Sequence, residues 1–163
     1  MHLPIRDCYP VTDRLLAGEY PGAVDPAEAA ARIGRFERHG VTHFVDLTHP
    51  ADLLEPYERH LAAARRLPHA IVDMGVPTIP ALTRILDDID AVLAEGGSAY
   101  VHCWGGIGRT GTVVGCWLVR HGLDDGDAIA RIAALRRRVI DARMPSPQTT
   151  AQRELVRTWK RGR

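Results

Sequence analysis

The stretch Tyr100–Gly111 reads YVHCWGGIGRTG, with Cys103 and Arg109 at the two ends of a short interval that holds three glycines. Glycines let a backbone turn its amides inward where a Cβ would obstruct. Amides converging at the start of a helix attract an anion. A cysteine in such a positive setting is held toward its thiolate, the nucleophilic form. The planar fork of an arginine can grip two oxygens of a phosphate, which a lysine in the same place cannot do. Thr110 adds a hydroxyl able to donate to a departing thiolate. Three readings compete: nucleotide binding, covalent catalysis on a tetrahedral oxyanion, and a tight turn alone.

The nucleotide reading rests on Gly106-x-Gly108-x-x-Gly111, which formally fits a dinucleotide fingerprint between a strand and a helix. The acidic residue that such a site needs at the tip of the next strand is missing, since Asp124 and Asp125 come too early and start a helix. A Walker A loop needs Lys followed by Ser or Thr, and here Arg109-Thr110 stands instead. The covalent reading accounts for more residues. Cys103 would be the nucleophile. Trp104, Gly105, Gly106, Ile107 and Gly108 would form the phosphate cradle, Arg109 would bind the oxyanion, and His102 would orient the loop by hydrogen bonds.

VHCWGGIGRTG resembles the signature H-C-x2-G-x2-R-[ST]-G of the cysteine-dependent tyrosine and dual-specificity phosphatases. LLAGEYPG, VTHFVDLT, IVDMGVP and SPQTTAQRELVRTW are similar to further segments of small bacterial and plant members. The resemblance implies a phosphomonoester phosphatase working through a cysteinyl-phosphate, most simply on phosphotyrosyl proteins, with phosphoserine and phosphothreonine as further substrates. The five variable cradle positions are uncharged, which disfavours phosphoinositides and inositol polyphosphates. An RNA 5′-triphosphate or a phosphate-binding module with little turnover are the remaining alternatives. The family carries its general acid on a loop about 30 residues before the cysteine, and Asp73 stands at that remove in VDMGVPTIP. A positioned acid contributes about 10²–10⁴-fold in rate. Asp46, also at a strand end, is the rival. Gln148 and Gln152 in QTTAQREL match the segment whose glutamine orients the attacking water; a polar helix face is the plain alternative for both.

These residues need a frame. VTDRLLAGEYPG reads as extended chain ending in a turn at Pro21-Gly22. Asp25, Pro26 and Glu28 start a helix with Ala29, Ile33 and Phe36 on one face. Strands are expected over Val41–Leu47, Ala70–Asp73 and Ser98–Cys103, and a helix from Pro56 to about Arg66. Leu82, Ile85, Leu86, Ile89, Val92 and Leu93 have helical spacing. Helices also follow the glycine loop, Asp125 and Ser146-Pro147, the last over about Gln148–Arg161. The alternation gives an α/β fold in three layers, with a mostly parallel sheet of four or five strands flanked by helices. Its site belongs at the carboxyl ends of the strands.

At 163 residues the chain fits one domain, 1–163. Apolar and charged fractions of 45% and 25% are globular averages. A net charge of +1 gives no field that favours nucleic acid or membrane. Three cysteines, Cys8, Cys103 and Cys116, make no disulfide framework, and no His/Cys cluster has metal-ligand spacing. The expectations are a cytoplasmic monomer with no cofactor and no metal. Its ligands would be phosphorylated protein and phosphate-like oxyanions. Arg136, Arg137 and Arg138 are expected as a solvated helix end.

Overall fold

The computed structural model describes residues 3–163. Its sheet runs β1 (Cys8–Pro10), β2 (Leu15–Gly18), β5 (Ala99–His102), β3 (His43–Asp46), β4 (Arg65–Pro68) in spatial order. Only β1 is antiparallel to its neighbour; the other pairings are parallel. Period-two alternation divides the strands between two cores. Leu15, Ala17, Val45, Val101 and Cys103 face one layer, formed by α2 (Ile79–Ala94), α3 (Gly108–Arg120), α4 (Asp125–Leu135) and α5 (Thr150–Thr158). Leu16, Phe44 and Tyr100 face the other, closed by Ile33 and Phe36 of α1 (Pro26–Arg38). The expected three-layer arrangement and the central mostly parallel sheet are both present.

Register fixes where a site can form. Gly18 and Asp46 both pair with His102, and Asp46 pairs with Pro68. The carboxyl ends of four strands therefore stop at one level, and the following segments gather above them.

Local signals explain most element ends. Asp25 accepts the Glu28 amide at 2.7 Å with Pro26 at the first helical position, as its sequence requires. Four expectations fail. The segment from Pro56 to Arg66 is not helical: two 3-10 turns, Pro50–Asp52 and Glu58–His60, lead into β4. The strand expected over Ala70–Asp73 is irregular chain, and the strand lies earlier, at Arg65–Pro68. β4 pairs only with β3, and this margin position tolerates its two arginines. Thr149 caps α5 through Gln152 N–H, while the Ser146 hydroxyl is spent on Ile107 O. Arg136 is not solvated: it is 2% exposed and donates to Met144 O and Asp141 O.

Candidate active site

The loop between β5 and α3 rises from the middle of the sheet. Cys103 follows the last residue of β5 and is buried, with the Thr110 hydroxyl donating to its Sγ at 3.1 Å. Among the described residues, no acceptor meets the N–H groups of Trp104 through Arg109. These are the orphan donors expected where a loop opens a helix, and they form a ready anion site. Gly106 has φ of 67°, and a Cβ there would collide with the backbone of Gly18 and Glu19. Trp104 O accepts Tyr20 N–H at 2.8 Å, and Ile107 O accepts the Ser146 hydroxyl at 2.7 Å. The loop is thus held from both sides through its carbonyls, which leaves its amides available.

Arg109 closes the loop and is 1% exposed. Its Nη1 donates to Asp52 Oδ2 at 2.7 Å and to Ile71 O at 3.0 Å. Its Nη2 lies 3.1 Å from Asp73 Oδ1. Asp52 also accepts His49 N–H, which fixes the carboxylate at the end of a 3-10 turn beyond β3. Sequence reasoning missed Asp52. The available signal was positional, an acid a few residues past a strand's carboxyl end, with no motif to mark it.

Asp73 and the rival Asp46 occupy different settings. Asp73 is 51% exposed and shares a cleft of about 290 Å³ with Met74, Cys103, Trp104, Ile107, Gly108 and Gln148. Asp46 is buried, accepting from Arg66 Nε at 2.7 Å and from both the N–H and the hydroxyl of Thr48. Burial works against its charge, but His102, Thr48 and Arg66 around it prevail and hold its pKa below the ordinary carboxylate value. A carboxylate so committed has no proton to give.

His102 is buried and neutral. Burial, with Arg66 and Arg109 adding, overrides Asp46 and Cys103 O and lowers its pKa to about 4. Its Nε2 is 2.9 Å from the Tyr57 hydroxyl, whose own pKa burial raises strongly. The phenol therefore keeps its proton and donates to Nε2, leaving the ring proton on Nδ1 toward Cys103 O. These contacts tie the residue before Cys103 to Tyr57, which the sequence did not mark.

The two glutamines separate. Gln148 lines the cleft. Gln152 is buried and fully engaged: Nε2 donates to Gly75 O at 3.0 Å, and Oε1 accepts from Gln148 N–H and Thr149 N–H. It ties the Asp73 segment to α5 rather than facing the cleft. Cys116 is core, and Cys8, Cys103 and Cys116 are all free thiols.

Comparison with known proteins agrees with this geometry. A family described as polymorphic toxin system, DSP-PTPase phosphatase matches residues 21–123. The chain is 29% identical over 123 residues to the bovine protein tyrosine phosphatase domain-containing protein 1, which covers 67% of the chain and 15% of that protein. It is 27% identical over 135 residues to an Arabidopsis thaliana phosphatidylglycerophosphate phosphatase, covering 80% of the chain and 55% of the relative. The chain thus spans about half or less of these relatives. Among solved structures, Tk-PTP in its active form aligns with a TM-score of 0.76 at 22% identity, over 94% of this chain and 96% of that one. PTPMT1 in complex with PI(5)P aligns with a TM-score of 0.72 at 20% identity, over 93% of each chain.

Proposed function

The chain belongs to the DSP-PTPase phosphatase family, and from that premise we propose that residues 1–163 act as one catalytic unit hydrolysing phosphomonoesters through a cysteinyl-phosphate. The observation that carries this reading is a buried thiol at the foot of a row of unpaired amides, on a cleft shared with Asp73, whose carboxylate lies 3.1 Å from the Arg109 fork. In this scheme the Cys103 thiolate attacks phosphorus and the bond to the leaving oxygen breaks. Asp73 gives its proton to that oxygen. The amides of Trp104 to Gly108 and the fork of Arg109 hold the three phosphoryl oxygens. Water, oriented by Gln148, then attacks phosphorus. Its proton passes to Asp73, and the Cys103 thiolate leaves with the Thr110 hydroxyl donating to it. His102 and Gln152 support the loop and the Asp73 segment.

Incoming phosphate competes with the Asp73 carboxylate for Arg109 Nη2. Binding would therefore free Asp73 to take up a proton from water and swing toward the leaving group as the cradle fills. Two substrate classes fit an uncharged cradle sized for one phosphate. A phosphotyrosyl or dual-specificity protein substrate is supported by the loop signature. A lipid phosphate is supported by the phosphatidylglycerophosphate phosphatase among the relatives. A cytoplasmic setting agrees with the use of a free thiol.

The test is Cys103→Ser with an aryl phosphate. Turnover should vanish while vanadate or tungstate still binds and the fold is kept. Turnover persisting in that variant would sink the scheme, and loss of both turnover and oxyanion binding in wild type would leave no phosphatase.

A further inference from the structure

Two aspartates meet Arg109, and each is followed by a residue with a left-handed backbone: Leu53 at φ 53° and Met74 at φ 60°. No other non-glycine residue among those described has a positive φ. Bulky side chains seldom adopt that region, and such strain collects where function needs it. Gly75 N–H donates to Val72 O at 3.0 Å, closing a turn with Asp73 and Met74 at its corners. A positive φ at the second corner calls for glycine or asparagine. Glycine stands at 75, one place too late. Aiming Asp73 at the cleft needs only the backbone bend, which a glycine would supply without strain. What the methionine adds is a thioether, and that side chain lines the phosphate cleft.

Among the large exposed apolar side chains of the described residues, Met74 (50% exposed) and Trp104 (58%) are the two that line this cleft with Cys103. Both stand on fixed backbone. Ile71 N–H donates to Leu47 O and Gly75 O accepts from Gln152, which tethers the Met74 turn on both sides. Trp104 is held through its carbonyl by Tyr20 N–H. In-line attack by Cys103 puts the ester oxygen on the far side of phosphorus, so the group beyond it departs between the Asp73–Met74 turn and the indole. A thioether and an indole are suited to grip a flat ring, through sulfur–aromatic and offset aromatic contact.

We propose that Met74 and Trp104 clamp the leaving group and select aromatic phosphomonoesters, a phosphotyrosyl side chain foremost, over the alkyl esters of phosphoserine or of a lipid. The inference rests on the phosphatase reading of the same site. A seryl or glyceryl ester gives the two walls nothing flat to hold. The surroundings count against a lipid surface as well. The clefts that join this one at Gly105 carry Glu19 and Glu55, and Asp7 and Asp141, four carboxylates against Arg32 and Arg136. An anionic bilayer would meet like charge there.

Met74→Asn and Met74→Gly keep the left-handed bend and remove the thioether. The experiment compares kcat/KM of wild type and both variants on a phosphotyrosyl peptide and on the same peptide carrying phosphoserine. Wild type should favour phosphotyrosine. Both variants should lose about tenfold on phosphotyrosine, chiefly through KM, and stay within about twofold on phosphoserine and in vanadate affinity. Inhibition by phenylphosphonate and by methylphosphonate gives the same comparison without turnover, and only the first should weaken. Trp104→Ala should lower the preference in the same direction, and Trp104→Phe should restore most of it. Equal losses on both peptides would mean that Met74 only aims Asp73, and the clamp is refuted. Variants that keep the wild-type preference overturn it too, as does a wild type that works equally on both peptides or faster on phosphatidate in neutral detergent micelles. An aryl phosphate with a good leaving group separates the two levels: its turnover without ring preference defeats the clamp alone, and a wild type inert toward it defeats the phosphatase reading itself.

Discussion

Arg109 and Asp52 form a buried ion pair, Nη1 to Oδ2 at 2.7 Å, between the end of the phosphate cradle and a 3-10 turn beyond the third strand. Both side chains are almost wholly inside. Removing one partner of such a pair strands the other charge, at a typical cost of about 3–5 kcal/mol. Asp52→Ala should lower unfolding stability by about 3 kcal/mol, the low end, because Arg109 keeps Ile71 O and Asp73. Asp52→Asn should be milder in stability and still weaken vanadate binding, since the fork loses its anchor. Urea unfolding and vanadate titration check both; an Asp52→Ala protein as stable and as tight as wild type would show that the pair positions nothing.

Asp73 makes the opposite kind of contact with the same guanidinium, at the open side of the cleft. Asp73→Asn should cut turnover by about 10²-fold or more for leaving groups of high pKa and much less for good ones. It should also tighten vanadate binding, because Nη2 no longer holds a competing carboxylate. A uniform rate loss across a series of aryl phosphates would move the acid elsewhere.

The neutral state of His102 sets a pH window. Its pKa is about 4 in the fold, against 6.5 ordinarily. Between those values the unfolded chain takes up a proton that the folded chain refuses. The contribution to stability is therefore complete above pH 6.5 and lost as pH falls toward 4, by up to about 3 kcal/mol. His102→Gln should flatten that part of the stability–pH profile, read from denaturant midpoints at pH 7.5 and 4.5. An unchanged slope would mean that His102 is not the group responsible.

Gln152 should matter through Gly75, not through water. Gln152→Ala leaves Gly75 O and two amides without their partners, a loss of about 1–3 kcal/mol. It should lower kcat for aryl phosphates with poor leaving groups, where Asp73 matters most, and spare vanadate affinity. Gln152→Glu keeps Oε1 as acceptor but not the donor to Gly75, so it should recover stability better than kcat. Equal recovery of both would argue against a positioning role.

Where chemistry and local grammar coincide, the chain can be read directly. Cys103 through Thr110 is a contiguous stretch, and the Asp25-Pro26-Glu28 start and the spacing from Leu82 to Leu93 are local too. The losses are all of long-range origin. β4 is two arginines, a leucine and a proline; nothing in RRLP reads as a strand, and only pairing to β3 makes it one. Ala70–Asp73 looks more like a strand, yet Ile71 alone is buried there, its N–H donating to Leu47 O beyond the end of β3. Arg136 sits among arginines at a helix end and is nonetheless interior, because Met144 and Asp141 fold their carbonyls back over it. Asp52 is invisible for the same reason: its partner stands 57 residues away. Even so, Asp73 lands beside Arg109, because a loop at a strand's end needs no regular strand to deliver it.

The family match ends at residue 123, yet the supports of the loop and of the Asp73 segment lie beyond it. Ser146 braces Ile107 from below, and Gln152 fastens Gly75 beside Asp73. A ribosome that has released everything up to α3 has therefore made the thiol and the arginine but not a finished catalyst. The nascent chain would stay inert until the segment carrying Ser146 and Gln152 emerges, and a fragment cut back to the family core should fail as an enzyme however well its sheet forms.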